Sequence, residues 1–358
     1  MRGFLASSAS LAALLVTAVA SNAGTLIPIV PVTGSTSTNV FGINDTLIID
    51  GSYISSQDAL EHGYFGPLDG SNYATIDAPA GKTEPRAISN DSTIAGFANN
   101  DGVPNDFVPF ERSVSGKIKT VDSKKEKPLN YLVQGIANSN DEFAGSYYNK
   151  SLALVGYLGK KAEFTKGVSL SITNMGVAPR AVDSAGDIVG WYYDANGVQN
   201  GFLISGGSAI TVDDPDPTEV SSVLEAINDN GTLTGQWTDT GGIVHAFTYK
   251  ISAGTFKAIT VPNSTVFTQA WGINSAGLVA VGSDQGYFIY CPGTKNCPVD
   301  GIKTTDAEIR VPLEKLPHVP CVNGCLSPLA EAEARAPVAP LHVAVQTQAS
   351  GRPQPMQP

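Results

Sequence analysis

The sequence predicts an all-β protein, a β-propeller of six blades with four antiparallel strands each. A short phrase recurs six times: an apolar residue, a turn rich in Asn, Asp, Ser or Gly, then a β-branched strand ending in Gly. Its copies start at Ile43, Ile88, Ile136, Val182, Ile227 and Ile273. The spacings are 45, 48, 46, 45 and 46 residues, the length of a four-stranded blade, and no copy carries the long apolar face of a helical repeat. The 358 residues are 42% hydrophobic and only 15% charged, with 37 Gly and 23 Pro, enough to bury a large core and punctuate many short strands.

The chain opens with Met1-Arg2, an apolar stretch from Phe4 to Ala20, and two small-x-Ala patterns, Ala18-Val19-Ala20 and Ser21-Asn22-Ala23. Residues 1–23 read as a secretory signal cut after Ala20 or Ala23. A membrane anchor is the competing reading, but the stretch is short, rich in Ser and Ala, and followed by no basic stop-transfer cluster. No later segment is apolar for long enough to span a bilayer, so a soluble, secreted or periplasmic mature chain is expected. The net charge is −11, and cleavage would remove Arg2 and no acid, taking it to −12. Such a surface repels phosphate backbones and anionic lipid, which disfavours nucleic-acid and membrane partners.

The fifth repeat is the clearest blade. Ala226-Ile227-Asn228 is a short strand, Asp229-Asn230-Gly231 a turn, Thr232–Thr238 a second strand, His245–Tyr249 a third and Phe256–Val261 a fourth, ended by Pro262. Asn, Asp and Gly tolerate positive φ and close tight hairpins, while Thr, Val, Ile and aromatic residues suit a pleated surface. Gly51, Gly96, Gly145, Gly190, Gly235 and Gly282 recur within the second strands, where they are expected to admit close packing between blades. Tyr53, Phe97, Tyr147, Trp191 and Trp237 follow them. Rings repeated in this way belong in the core between blades, the alternative being a stacking platform for a ligand.

With His245-Ala246-Phe247 in the third strand and His62-Gly63-Tyr64-Phe65 in its first-repeat counterpart, these phrases resemble the HAF repeat of exported bacterial proteins, over roughly Phe41 to Tyr290. The resemblance implies an extracytoplasmic propeller-like domain and brings no reaction or catalytic residue with it. Gly closes the first turn only in the last three repeats, the third repeat lacks the His-x-Phe signal, and the sixth has a very short connection before Tyr287-Phe288.

The sixth repeat has three clear strands. Thr25-Leu26-Ile27-Pro28-Ile29-Val30-Pro31 has the apolar-to-Pro shape of Ala258–Pro262 and is expected to supply the missing outer strand, closing the ring; Thr304–Val311 is the rival. The propeller is therefore assigned to residues 24–300, a cysteine-containing extension to 301–325 and a disordered Pro/Ala/Gln-rich tail to 326–358. The four cysteines follow the last repeat and pair most simply as Cys291 with Cys297 and Cys321 with Cys325. Five residues separate the first pair, which fits a four-thiolate zinc site poorly.

Innermost-first strand order would put the loops between strands two and three, and those leading into the next blade, on one face, the default binding surface. The first set is Ser55–Glu61, Asn99–Asn105, Asp194–Val198 and Asp239–Val244. The second is Pro79–Pro85, Asp122–Asn130, Asp213–Ser222 and Asn263–Gln269. Candidate ligand-binding residues are Asp194 and Asp239 in corresponding loops, Asp213 and Asp214 in an acidic run, and Trp191 and Trp237. The aspartates also suit turn formation. No calcium loop, nucleophile elbow or phosphate loop is present, and histidine is scarce, so no catalytic residue, metal or cofactor is assigned. The expectation is an exported, non-enzymatic, monomeric propeller that binds a glycan or protein. A carbohydrate-active hydrolase or lyase is the first alternative, and a structural surface or matrix protein the second.

Overall fold

A computed structural model of the protein describes residues 18–20 and 24–327, apart from positions 80, 100–106, 122–128, 150, 152, 162, 169–175, 294–296, 299–300, 305–306 and 320–324. The expected tail beyond 327, most of the signal segment, Cys321 and parts of the loops at 99–105 and 122–130 therefore lie outside the described residues. Among the described residues no helix is long and apolar enough to cross a membrane.

Six antiparallel sheets form a ring, each running outward from an innermost strand in chain order except where N-terminal strands are added at the outside of blades 5 and 6. In blade 5 the order is Glu219–Asn228, Thr232–Asp239, Val244–Lys250 and Thr255–Ile259. The innermost strand starts seven residues before the expected Ala226, because its first half faces neighbours on both sides and so lacks alternation. The innermost strands of blades 2, 3, 4 and 6 are Lys82–Ile88, Leu129–Ile136, Val177–Val182 and Thr268–Ile273. Blade 6 takes its outer strand from the N-terminus, as expected: Thr25–Pro28 lies antiparallel to Gly286–Cys291, with Leu26 opposite Tyr290. The rival segment has another role, since Ala307–Arg310 pairs with the outer strand of blade 5. The backbone of Ala18–Ala20 adds one further strand there, which cleavage at either expected site would remove.

Each interface between neighbouring blades has its own apolar cluster, as between blades 4 and 5, where Val189, Leu203, Leu224, Leu233 and Phe247 are all fully buried. At about 1.5–3 kcal/mol per buried aliphatic or aromatic side chain, these interfaces are the main source of stability.

The repeated turn contributes a second tie. Asn44, Asn228 and Asn274, each following the starting apolar residue, accept backbone N–H bonds at Oδ1 from Ile48, Thr232 and Leu278 at 3.0, 2.9 and 2.9 Å. Their Nδ2 groups donate to the next blade, at Ser89 O, Asn274 O and Asn44 O (3.1, 2.8 and 3.2 Å). One side chain thus shapes the hairpin and staples it to its neighbour. The last of these bonds closes the ring between blades 6 and 1, with Gly272 N donating to Phe41 O at 2.8 Å.

The recurring glycines correct one expectation. They answer a close approach within a blade, not between blades. In blades 2 to 5 the innermost strand carries a bulge, so that Pro85, Val133, Pro179 and Leu224 face Gly96, Gly145, Gly190 and Gly235 while the next residue is left unpaired. A Cβ on Gly190 would lie 2.2 Å from Ala178 O, and one on Gly96 2.3 Å from Glu84 O. The approach between blades falls at another position, filled by Gly42, Ala87, Gly135, Ala181, Ala226 and Gly272. There a Cβ on Gly135 would meet Arg180 O at 2.3 Å.

Gly190→Ala should therefore cost about 3 kcal/mol or more, since backbone must move. Gly197→Ala, in open space at φ +81°, should cost only about 1 kcal/mol from left-handed strain. Urea unfolding of both variants tests this, and equal losses would remove the bulge as the reason for the glycine.

Candidate functional site

The residue left unpaired at each bulge is turned toward the axis. Two positions before each starting apolar residue stand Phe41, Arg86, Gln134, Arg180, Glu225 and Trp271. Arg86, Gln134, Glu225 and Trp271 line a small axial cavity of about 40 Å³, together with the backbone at Gly42, Gly135, Ala181 and Gly272. Strand order gave no hint of this ring. The one available signal was a charged or amide residue recurring at a fixed offset inside an otherwise apolar strand.

Arg86 lies between two rings, its guanidinium 4.4 Å from the Phe41 centroid and 4.5 Å from that of Trp271, a cation–π arrangement. Its Nη1 donates to Glu84 Oε1 at 2.7 Å. Arg180 and Glu225 face each other less closely, Nε to Oε2 at 3.7 Å, with their side chains 5% and 3% exposed. Arg180 Nε and Nη1, Glu225 Oε1, Gln134 Oε1 and Trp271 Nε1 have no hydrogen-bond partner among the described residues. Burial raises the Glu225 carboxyl against the opposing pull of Arg180 and Arg86. It likewise lowers the Arg180 guanidinium against the pull of Glu225. Loosely paired buried charges of this kind add little to stability. They leave donors and acceptors directed at one space.

Asp50 is the second buried anomaly. On the second strand of blade 1, opposite Gly42, it is fully buried, and neither carboxylate oxygen has a hydrogen-bond partner among the described residues. Burial, only partly offset by the charge of Arg86, pushes its carboxyl up to about 7. Blades 2 to 5 hold Ala95, Ala144, Val189 and Thr234 at this position.

The residues singled out in the sequence lie on the loop face and between blades. Asp194 Oδ1 accepts from Asn196 N and Val198 N, both at 2.8 Å. Asp239 Oδ1 accepts from Gly241 N and Ile243 N at 2.8 and 2.9 Å. Both aspartates thus close equivalent turns in adjacent blades. Asp239 Oδ2 also meets His245 Nε2 at 3.0 Å, and His245 stacks on Trp237 at 4.2 Å. Trp191 and Trp237 are each 9% exposed. Trp191 packs with Leu154, Ala178 and Val223, in the core between blades.

Asp213 Oδ1 accepts from Gly201 N at 2.9 Å and Asp214 Oδ1 from Asp216 N at 3.1 Å. Asp213, Asp214 and Glu219 gather where blade 4 leads into blade 5. Burial, with Glu219 adding to it, pushes Asp213 up to about 8, and burial pushes Asp214 up to about 6. Among the described residues no three His, Cys, Asp or Glu side chains are placed to hold a metal ion. On the same face His62 bridges two loops, with Nδ1 2.8 Å from Asp77 and Nε2 3.2 Å from Asp58. Cys291 and Cys297 form the expected disulfide, with Cα atoms 5.7 Å apart. Cys325 is also disulfide-bonded.

No family model matches the chain. No curated protein matches it either. Among solved structures it is similar to TolB from Acinetobacter baumannii, at 11% identity over 80% of this chain and 66% of that one, TM-score 0.47. It is also similar to the β-propeller domain of the Trilobed protease from Pyrococcus furiosus, at 8% identity over 76% of this chain and 96% of that one, TM-score 0.42. The chain thus spans just under two thirds of the TolB structure. At these identities the likeness concerns the fold alone.

Two titrations test the electrostatics. An acid whose carboxyl is raised on folding loses stability as pH rises from its unfolded value, 3.8, to its folded value, about 7 for Asp50. Asp50→Ala should therefore gain on the wild type across that window, by on the order of 4 kcal/mol at its top. A parallel pair of stability–pH curves would refute it. Burial by itself would lower the His62 imidazole, but the bonds and charges of Asp77 and Asp58 raise it overall. Its NMR midpoint should lie above the ordinary value of 6.5. The stability it adds should be complete below that ordinary value and lost as pH rises through the raised one. His62→Gln should abolish that part of the pH dependence.

Proposed function

We propose that this protein is an exported, non-enzymatic β-propeller of the HAF-repeat kind that holds a glycan or protein partner on its loop face, anchored at the axial channel. One observation carries this reading: the bulges bring Arg86, Gln134, Arg180, Glu225 and Trp271 from five blades to one axis, with donors and acceptors that no described residue uses. A ring serving packing alone would be apolar, because replacing buried ion pairs by apolar groups of similar volume is often neutral or stabilising. The acidic cluster of Asp213, Asp214 and Glu219 and the aspartate turns at Asp194 and Asp239 line the loop face and would select the partner's shape and charge. An oxidising compartment agrees with the disulfide and with the signal read in residues 1–23.

Glycan and peptide arrays probed with the mature protein should yield a ligand whose affinity falls at least about tenfold in the double variant Arg180→Met/Glu225→Leu. Removing both charges leaves neither buried alone, so the fold should survive. Unchanged affinity in a folded double variant would move the anchor off the axis.

A further inference from the structure

A second cavity lies at the end of the propeller opposite the variable loops. It measures about 370 Å³ and opens between the first turns of blades 5 and 6, lined by Asn230, Thr232, Thr248 and Lys250 on one side and by Ser275 and Pro292 on the other. That volume falls in the range of about 300–1,000 Å³ usual for small-ligand sites. The sequence of blade 5 accounts for the gap. In blades 1, 3, 4 and 6 the third-strand residue turned toward the next blade is Phe65, Leu158, Leu203 or Ile289, each packed in the core shared with that blade. Blade 2 has Glu111 at this position. Blade 5 has the half-buried Thr248, opposite Thr234, and its interface with blade 6 is left open at the turn end.

The lining is polar and contains no acid. Among the described residues the hydroxyls of Thr232, Thr248 and Ser275 have no hydrogen-bond partner. Lys250, opposite Thr232 in the sheet, donates from Nζ to Asn230 O and meets no carboxylate among the described residues. An ammonium has three donors, so two of them are left for a ligand. In a chain with 33 acidic residues against 22 basic ones, a half-buried lysine without an acidic partner stands out. Asp229 and Asp45, in the adjoining turns, are bonded elsewhere: Asp229 accepts from Ser184 N at 2.9 Å, and Asp45 accepts from Ser275 N at 2.7 Å and Asn90 Nδ2 at 2.8 Å. The walls are fixed. Asn230 Nδ2 donates across the groove to Ser275 O at 2.8 Å, Pro292 packs over Gly277, where a Cβ would lie 3.4 Å from its Cγ, and the Cys291–Cys297 disulfide closes the loop that carries it. Hydroxyls that donate and accept, one point charge and one apolar ring match a sugar bearing a single carboxylate; a phosphate dianion is better served by the fork of an arginine.

We propose that the groove between the turns of blades 5 and 6 binds an acidic glycan, with a uronate carboxylate on Lys250, sugar hydroxyls on Thr232, Thr248 and Ser275, and the C–H face of the sugar ring on Pro292. This site is separate from the axial ring and from the loop face, and it stands independently of the function proposed for them.

Titration of the full mature chain with trigalacturonate and with uncharged galactotriose tests it, by calorimetry and by NMR. Trigalacturonate should bind at least about tenfold more tightly than galactotriose, and added salt should erode that preference. Lys250→Met should remove the preference, while Thr248→Leu, which fills the gap with the residue blade 4 carries, should weaken both sugars at least about tenfold. If Thr248→Leu does not fold, Thr232→Val takes its place and should weaken both by about threefold or more through the lost hydroxyl. Arg180→Met/Glu225→Leu should leave both affinities unchanged. Absence of trigalacturonate binding at about 10 mM, equal affinity for the two sugars, or full affinity in folded Lys250→Met overturns the proposal. Loss of binding in the axial double variant also overturns it, by assigning the sugar to the axis.

Discussion

The bulge on the innermost strands is the constraint on which the rest of the molecule depends. Six strands cannot crowd one axis with a side chain at every position, and in blades 2 to 6 a bulge relieves the crowding by turning a residue of the innermost strand out of register. Its consequences spread along each repeat. The second strand must carry glycine where the bulge pushes a carbonyl against it, as at Gly190. The residue after the bulge must be Gly or Ala, because the next blade's backbone lies there. The bulged residue itself, whatever its type, is delivered to the axis.

Evolutionary or not in origin, the occupants of that axis are costly ones. Arg180 and Glu225, with Glu84 and Asp50 beside them, sit where burial opposes the charged form. Arg86 is compensated by Glu84 and two aromatic faces. Arg180 and Glu225 compensate each other at a distance too long for a hydrogen bond. The contrast separates a cation held by close partners from one that is only loosely paired. The loop aspartates complement this arrangement, because turns held by their own side chains form a rigid rim.

A propeller must also manage its open edges. Inward, the asparagine staples and the N-terminal strand of blade 6 join the first blade to the last, across 230 residues of sequence in the bond from Asn274 to Asn44. Outward, the C-terminal segment forms a belt that covers the outer strands of blades 6, 5, 4 and 3 in turn, with pairings of two or three residues each. Both ends of the chain are thereby used to protect sheets that would otherwise pair with neighbouring molecules.

Blade number, the hairpins, the strand Thr25–Pro28 and the pairing of Cys291 with Cys297 were all legible from the chain alone, because each is written in local pattern: a period, an Asx turn, an apolar run ending at proline, two close cysteines. The burial of Trp191 and Trp237 followed from the same period. Only the tertiary structure decided that Gly190 answers a bulge, that Arg86, Arg180 and Glu225 meet on an axis, and that the C-terminal segment runs along the outer strands of blades 6, 5, 4 and 3. A bulge shifts the direction of a side chain without changing composition, charges brought together from separate blades have no common sequence window, and two-residue strands are too short to carry a period. Local information specifies the elements of this fold; contacts between distant blades decide which side chains those elements place together.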